Sequence, residues 1–117
     1  MIDIRLKRIY EPAKPDDGFR ILIDRLWPRG ISKERAELDF WAKDITPTTE
    51  LRKDFHEGKD SWDEFKVMYR EELLNNPNLE NFIKIIKNQK TVTLLYGSKD
   101  PVHNHAIILL EVLKAKI

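Results

Sequence analysis

The stretch "FRILIDRLWPRG", residues 19–30, indicates where the centre of the fold lies. Residues 21–23 are continuously apolar, which is typical of a strand covered on both faces, and we assign residues 19–26 to that strand. The segment 24–30 then places two arginines and a tryptophan at the end of the strand. A simple turn needs none of these side chains, so we expect this loop to meet another loop or a ligand.

Two further segments predict strands around this centre. Residues 2–9 alternate apolar and charged side chains, which is the pattern of a half-buried strand. Residues 91–96, "TVTLLY", form a short apolar and β-branched run that is typical of a buried strand. Helical segments separate the second and third strands, which makes that pair parallel. The connection after the first strand is too short for a crossover helix, so the direction of the first strand stays open.

Five helices are predicted in the rest of the chain. Polar capping residues or prolines mark their starts, and apolar residues at helical spacing mark their buried faces. The predicted helices are 32–42 begun by Ser32, a second capped by Thr46 with Pro47 as its first residue, a third begun by a Ser61 and Glu64 capping box, a fourth begun by Pro77, and a fifth over 105–116.

The order of strands and helices predicts the α/β class. We expect a single compact domain over residues 1–117, with a small, mostly parallel β-sheet flanked by helices in Rossmann-like layering. A chain of 117 residues is long enough for one hydrophobic core and too short for two.

Composition narrows the classes of function. The chain has no cysteine, which excludes disulfides and thiolate chemistry. Charges interrupt the N-terminal segment, and the longest apolar run, 106–110, is far too short to span a membrane. We therefore expect a soluble, cytoplasmic protein with no membrane partner. The net charge of +1 argues against broad nucleic-acid binding, although residues 1–43 are locally rich in arginine and lysine.

The two loops that follow the central strands are the expected ligand site. In an open parallel sheet, ligands bind outside the carboxyl ends of the strands, so loops 24–30 and 97–105 should face one another. Arginine holds carboxylates and phosphates in bidentate fashion, a tryptophan offers a flat face to a ring, and the start of the last helix attracts anions. The expected ligand-binding residues are Arg25, Trp27, Arg29, Lys99, Asn104 and His105.

Structural interpretations of these residues remain open beside the functional ones. Arg25 could form an internal salt bridge with Asp24, and Trp27 could plug the end of the core. Asp24 and His105 are the candidate catalytic residues. Asp24 could instead cap a neighbouring turn, and His105, at the start of a helix, could donate a structural hydrogen bond. The spacing of His103 and His105 on a loop is a weak metal pattern, and we predict no metal and no cofactor.

Three segments resemble a known family. "GFRILIDRLWPRGISKE", "DITPTTELRKDF" and "VTLLYGSKDPVHNHA" look like the domain-of-unknown-function family 488 (DUF488), in its short YeaO-like group. The resemblance covers nearly the whole chain and implies a compact α/β domain of bacterial or archaeal type with no established activity. The positions matching the family's hallmark motifs are Asp24, Arg25, Trp27, Pro28, Arg29, Gly30, Trp41, Leu51, Arg52, Lys99, Asn104 and His105.

The resemblance also indicates one difference from longer relatives. Those relatives can carry cysteines around the late loop, where this chain has residues such as Tyr96 and Asn104. Any mechanism that depends on a thiol is therefore not expected here.

We accordingly expect a protein that binds a small phosphorylated or nucleotide-like anion between loops 24–30 and 97–105. Whether it is also an enzyme is undecided, since no acid–base set or phosphate-binding glycine motif stands out. One alternative is a non-enzymatic module that binds nucleic acid or a protein through the basic N-terminal third. Another is a structural or regulatory protein with no ligand. The sequence does not indicate an oligomeric state.

Overall fold

The computed structural model describes residues 2–117 and contains a four-stranded sheet in which every pair of neighbouring strands is parallel. The strands are β1 Asp3–Arg8, β2 Phe19–Leu22, β3 Phe40–Trp41 and β4 Thr91–Tyr96, in the spatial order β1-β4-β2-β3. The predicted α/β class is confirmed, and so is the parallel central pair, in which Ile21 lies beside Leu94. The first strand also runs parallel to β4.

The described residues form five α-helices: α1 Lys33–Ala36, α2 Thr49–His56, α3 Trp62–Leu74, α4 Asn78–Lys87 and α5 His105–Lys116. Short 3-10 helices occupy Pro15–Asp17 and Lys43–Ile45. The capping box at the start of α3 forms as predicted. None of the helices described is long and apolar enough to cross a membrane.

The predicted helix 32–42 is wrong beyond Ala36. Glu37 adopts a left-handed backbone conformation with φ of 46°, which ends α1 after one turn. The chain then pairs with the sheet, where Phe40 and Trp41 lie beside Ile21 and Leu22. Pairing with an available strand outweighs the helical propensity of this segment.

The start of α2 and the end of β2 also differ from the prediction. Thr48, not Thr46, caps α2, because the Thr48 hydroxyl accepts from Leu51 N and the Thr46 hydroxyl donates to Lys43 O instead. The central strand ends at Leu22 rather than residue 26, although Ile23 N still donates to Leu95 O at 3.0 Å. The chain therefore leaves the sheet directly before Asp24.

The two faces of the sheet are covered unequally. Ile21, Val92 and Leu94 belong to a large core with buried side chains from α2, α3, α4 and α5. Leu22 and Leu95, which point the other way, belong to a smaller cluster completed by loop residues and by Ala36 of α1. The long helices thus form one thick layer, and the opposite face is covered mostly by loops.

A buried ion pair fixes the chain before β2. Arg20 Nη1 donates to Asp17 Oδ2 at 2.5 Å, and Lys7 Nζ donates to Asp17 Oδ1 at 2.9 Å. Arg20 also donates twice to Ala36 O. Burial raises the pKa of Asp17, but hydrogen bonds from Lys14 N, Lys7 and Arg20 outweigh it and keep the pKa below its ordinary value.

Candidate functional site

A pocket of about 230 Å³ opens at the carboxyl ends of β2 and β4. Four parts of the chain line it: the segment after β2, helix α2 with the residue before its cap, the loop that leads into α5, and Phe65 of α3. The parallel arrangement of the two central strands brings the first and third of these to the same edge of the sheet. The pocket therefore lies where the two loops were expected to face each other.

Asp24 ties the ends of the two strands together. Its Oδ2 accepts a hydrogen bond of 2.8 Å from Gly97 N, the first residue after β4. Its Oδ1 lies 3.1 Å from His105 Nε2, whose hydrogen bond goes to Ile23 O at 2.7 Å. Both neighbours of Nε2 are acceptors, which assigns the ring proton to that nitrogen. Asp24 Oδ1 is left buried without a hydrogen bond of its own.

Glycine at position 97 makes this close contact possible. A Cβ atom added there would lie 2.8 Å from Asp24 Oδ2, which is closer than real Cβ contacts. The absent side chain therefore lets the carboxylate approach the backbone N–H.

The loop between Gly97 and α5 is ordered by its own hydrogen bonds. Asp100 Oδ1 accepts from Val102 N at 2.9 Å and from His103 N at 3.0 Å. These backbone N–H groups hold the pKa of Asp100 below its ordinary value. Asn104 donates to Asp100 O at 2.8 Å and caps α5 by accepting from Ile107 N. Hydrogen bonds within this loop therefore fix the side of the pocket that the loop forms.

Two arginines line the pocket without a carboxylate partner. Arg25 donates from Nε to Pro47 O at 3.1 Å, and Arg52 Nε is buried with no hydrogen bond. Within residues 2–117, neither guanidinium lies within salt-bridge distance of an acidic side chain. The carboxylate of Asp24 is the one negative charge in the described lining, so the pocket is positive overall.

The rest of the lining is largely apolar. The rings of Phe55 and Phe65 stack with centroids 4.4 Å apart and an angle of 20° between their planes. Pro47 also lines the pocket, and Leu26 stands at it with 61% of its surface exposed. The pocket therefore combines cationic groups with an aromatic wall, which is the usual composition of a small-molecule site.

The structure brings four of the predicted site residues together and leaves three elsewhere. Asp24, Arg25, Asn104 and His105 line the pocket. Arg29 and Lys99 are exposed at the surface and do not line it.

Trp27, the third of these, packs on the other face of the sheet. It donates to Ile31 O at 2.6 Å and meets Trp41 edge-on at 5.3 Å. Its place in the smaller cluster fits the interpretation of Trp27 as a plug of the core.

Arg52 is the main residue that the site prediction did not include. Arg52, Phe55 and His56 all line the pocket, and their spacing of three and four residues places them on one face of α2. That spacing was one available signal, and the place of Arg52 among the positions that match the family's hallmark motifs was another. Neither indicated that this helix face would meet the two loops. Across residues 2–117, no group of three or more histidine and acidic side chains is placed to hold a metal ion.

A family model and several individual relatives match nearly the whole chain. A family model described as the inactive DUF488-N3 subclade matches residues 3–117. The uncharacterized protein YeaO of Escherichia coli (strain K12) is 43% identical over 114 residues, which are 97% of this chain and 99% of the relative. The uncharacterized proteins Mb3100c of Mycobacterium bovis and Rv3073c of Mycobacterium tuberculosis are each 35% identical over 113 residues, or 97% of this chain and 95% of the relative. No solved structure matches.

Proposed function

Since this chain belongs to the DUF488 family, within the subclade described as inactive, we propose that it binds a small phosphorylated or nucleotide-like anion without transforming it. The observation that carries the proposal is the pair Arg25 and Arg52, two guanidiniums that line one pocket without a carboxylate partner. Arginine is suited to such an anion because its planar group donates to two oxygens at once.

Electrostatics supports a ligand rather than a purely structural role for these arginines. Two like charges beside one cavity repel each other, and an anion between them relieves that repulsion. A structural arginine is normally held by an acid, as Arg20 is held by Asp17. Arg25 is instead held by a single carbonyl, which fixes Nε and leaves the other N–H groups for a ligand.

The contacts of Asp24 and His105 support binding over catalysis. Both were candidate catalytic residues, and each now holds a backbone group: Asp24 accepts from Gly97 N, and His105 contacts Ile23 O. We assign them the role of shaping the pocket. The description of the subclade as inactive favours the same conclusion.

We further propose that the protein acts in the cytoplasm as one domain over residues 1–117. The absence of cysteine supports that location.

Thermal melting tests the proposal. At constant ionic strength, millimolar inorganic phosphate, phenyl phosphate and adenosine monophosphate are compared with chloride, and at least one should raise Tm saturably in the wild-type protein. Arg25→Met should remove that rise, while Arg29→Met, a matched change outside the pocket, should keep it. A wild type whose Tm responds to none of these anions would contradict the proposal.

A second candidate function rests on a separate group of cations. The Arg8 guanidinium lies 5.0 Å from the centre of the Tyr10 ring, Arg35 donates to Tyr10 O, and Tyr10 donates to Arg29 O. This surface favours a partner with many negative charges, such as nucleic acid. Oligonucleotide binding that weakens steeply with salt and is lost in Arg35→Met would support this candidate.

A further inference from the structure

We infer that the ligand of this pocket is an organic acid built on a single ring, with its oxyanion at the arginines and its ring against the aromatic wall. The inference rests on the proposed anion binding and names the class of anion. Three observations support it: the volume of the cavity, the apolar side chains on one part of its lining, and the net charge of the lining.

The size of the cavity limits the ligand to one ring and one acid group. An apolar cavity of about 150 Å³ encloses a benzene ring. Pockets for drug-sized ligands measure roughly 300–1,000 Å³. The volume of about 230 Å³ falls between these values and leaves room for a ring with one acidic substituent. A mononucleotide, with base, sugar and phosphate, would leave at least one of these units outside.

The lining has a place for a flat apolar group. Phe55 is half-buried at the pocket and stacks on Phe65, which is buried behind it. A ligand ring can meet the face or the edge of Phe55. Pro47 and Leu26 extend the apolar lining. A bare inorganic anion would leave this surface uncovered and would gain nothing from it.

The exposed side chain of Leu26 is a further candidate contact for the ring of the ligand. This large side chain is 61% exposed although it lies beside a pocket, and it is held by no cluster of the core. A ring in the pocket would cover part of it and remove apolar surface from water.

The charge of the lining matches one oxyanion. Among the arginines and acids of the lining, Arg25 and Arg52 contribute two positive charges and Asp24 contributes one negative charge. A single carboxylate or phosphate neutralises the remaining positive charge, and a guanidinium donates to such an oxyanion in bidentate fashion. Two acid groups in so small a cavity would bring one of them towards Asp24.

Calorimetric titration of the wild-type protein tests the inference with five probes: benzoate, phenyl phosphate, acetate, inorganic phosphate and adenosine monophosphate. Benzoate should bind about tenfold more tightly than acetate, and phenyl phosphate about tenfold more tightly than inorganic phosphate, because only the ring-bearing acids bury apolar surface. Adenosine monophosphate should bind more weakly than phenyl phosphate.

Two variants at exposed positions test whether Leu26 contacts the ring, and neither changes a buried side chain. Leu26→Ser should narrow the gap between phenyl phosphate and inorganic phosphate, whereas Val67→Ser, a change at a similarly exposed residue of α3 outside the pocket, should keep it. Equal affinities for ring-bearing and ring-free anions, or tighter binding of adenosine monophosphate, would overturn the ring inference and leave anion binding standing. If none of the five probes binds, the proposed function itself fails.

Discussion

Asp24 and Gly97, the residues that follow two neighbouring parallel strands, are joined by a hydrogen bond of 2.8 Å from the Gly97 N–H to the Asp24 carboxylate. The bond links the chain after β2 to the chain after β4, at the edge of the sheet where the pocket lies. The same carboxylate lies 3.1 Å from Nε2 of His105, the first residue of α5.

Gly97→Ala should therefore destabilise the protein. The added methyl group would push the Asp24 carboxylate away from Gly97 N, and losing this charge-assisted hydrogen bond costs about 1–3 kcal/mol. Urea denaturation would show the loss as a lower midpoint at an unchanged m value. Gly30→Ala, where an added Cβ meets open space, is the comparison and should cost only the strain of a left-handed backbone, about 1 kcal/mol. An unchanged midpoint in Gly97→Ala would show that the contact does not hold the loop.

The buried Asp17 carboxylate should make the fold sensitive to acid. Its pKa in the folded protein is lower than its ordinary value of 3.8, so the folded state binds fewer protons than the unfolded state. The stabilisation is complete above that ordinary value and is lost as the pH falls through the lower folded pKa. Asp17→Asn should cost about 3 kcal/mol at neutral pH, because it leaves Arg20 buried without an anion.

The matched control for this change is Asp16→Asn, which removes an exposed carboxylate next to Asp17. It should shift the urea midpoint little at any pH. A stability gap between wild type and Asp17→Asn that persists unchanged into strong acid would contradict the role given to Asp17.

Gly18→Ala should be more damaging than an ordinary glycine replacement. Gly18 has φ of 67°, and an added Cβ would overlap the carbonyl oxygen of Thr91 and lie 2.8 Å from its Cβ. The expected cost is roughly 2–3 kcal/mol, measured by urea denaturation. Gly58→Ala shares the positive φ but meets open space, so it should cost less. Equal costs for the two changes would mean that the contact with Thr91 relaxes freely.

Arg52→Met should leave the free protein as stable as before, or more stable. Its Nε is buried without a hydrogen bond, and replacing an unpaired buried donor by an apolar group removes that penalty. Arg20→Met is the contrasting change, because it leaves Asp17 buried with a weakened set of partners and should cost about 3–5 kcal/mol. The measurement is the Tm of the wild type and both variants without added anion. A Tm of Arg52→Met far below that of the wild type would indicate a structural role for Arg52.

Local patterns in the sequence predicted the elements that depend on local physics. The buried run 91–96 and the capping residues Ser61 and Asn104 were identified correctly, because a short apolar run and an N-cap act within a few residues. The segment after Ala36 was misjudged because its structure depends on pairing with β2, which is distant in the sequence. Periodicity does not record whether an exposed strand edge is available to such a segment.

The difference between local patterns and tertiary packing also explains which site residues were predicted. Parallel strands imply that Asp24, Arg25 and His105 meet at one edge of the sheet, and they do. The direction of Trp27 was not predictable, because it lies in a loop after the end of β2, where alternation no longer applies. Arg52 was missed because the position of α2 over the pocket is set by tertiary packing.

Nuclear magnetic resonance of the arginine Nε–H groups tests the central claim most directly, since it observes each guanidinium separately. In a titration with phenyl phosphate at constant ionic strength, the signals of Arg25 and Arg52 should shift saturably and with one common Kd. The signals of Arg29, exposed outside the pocket, and of Arg70, paired with Glu111, should stay in place. Equal, unsaturated shifts at all four arginines, or no shift at Arg25 and Arg52, would contradict anion binding in this pocket.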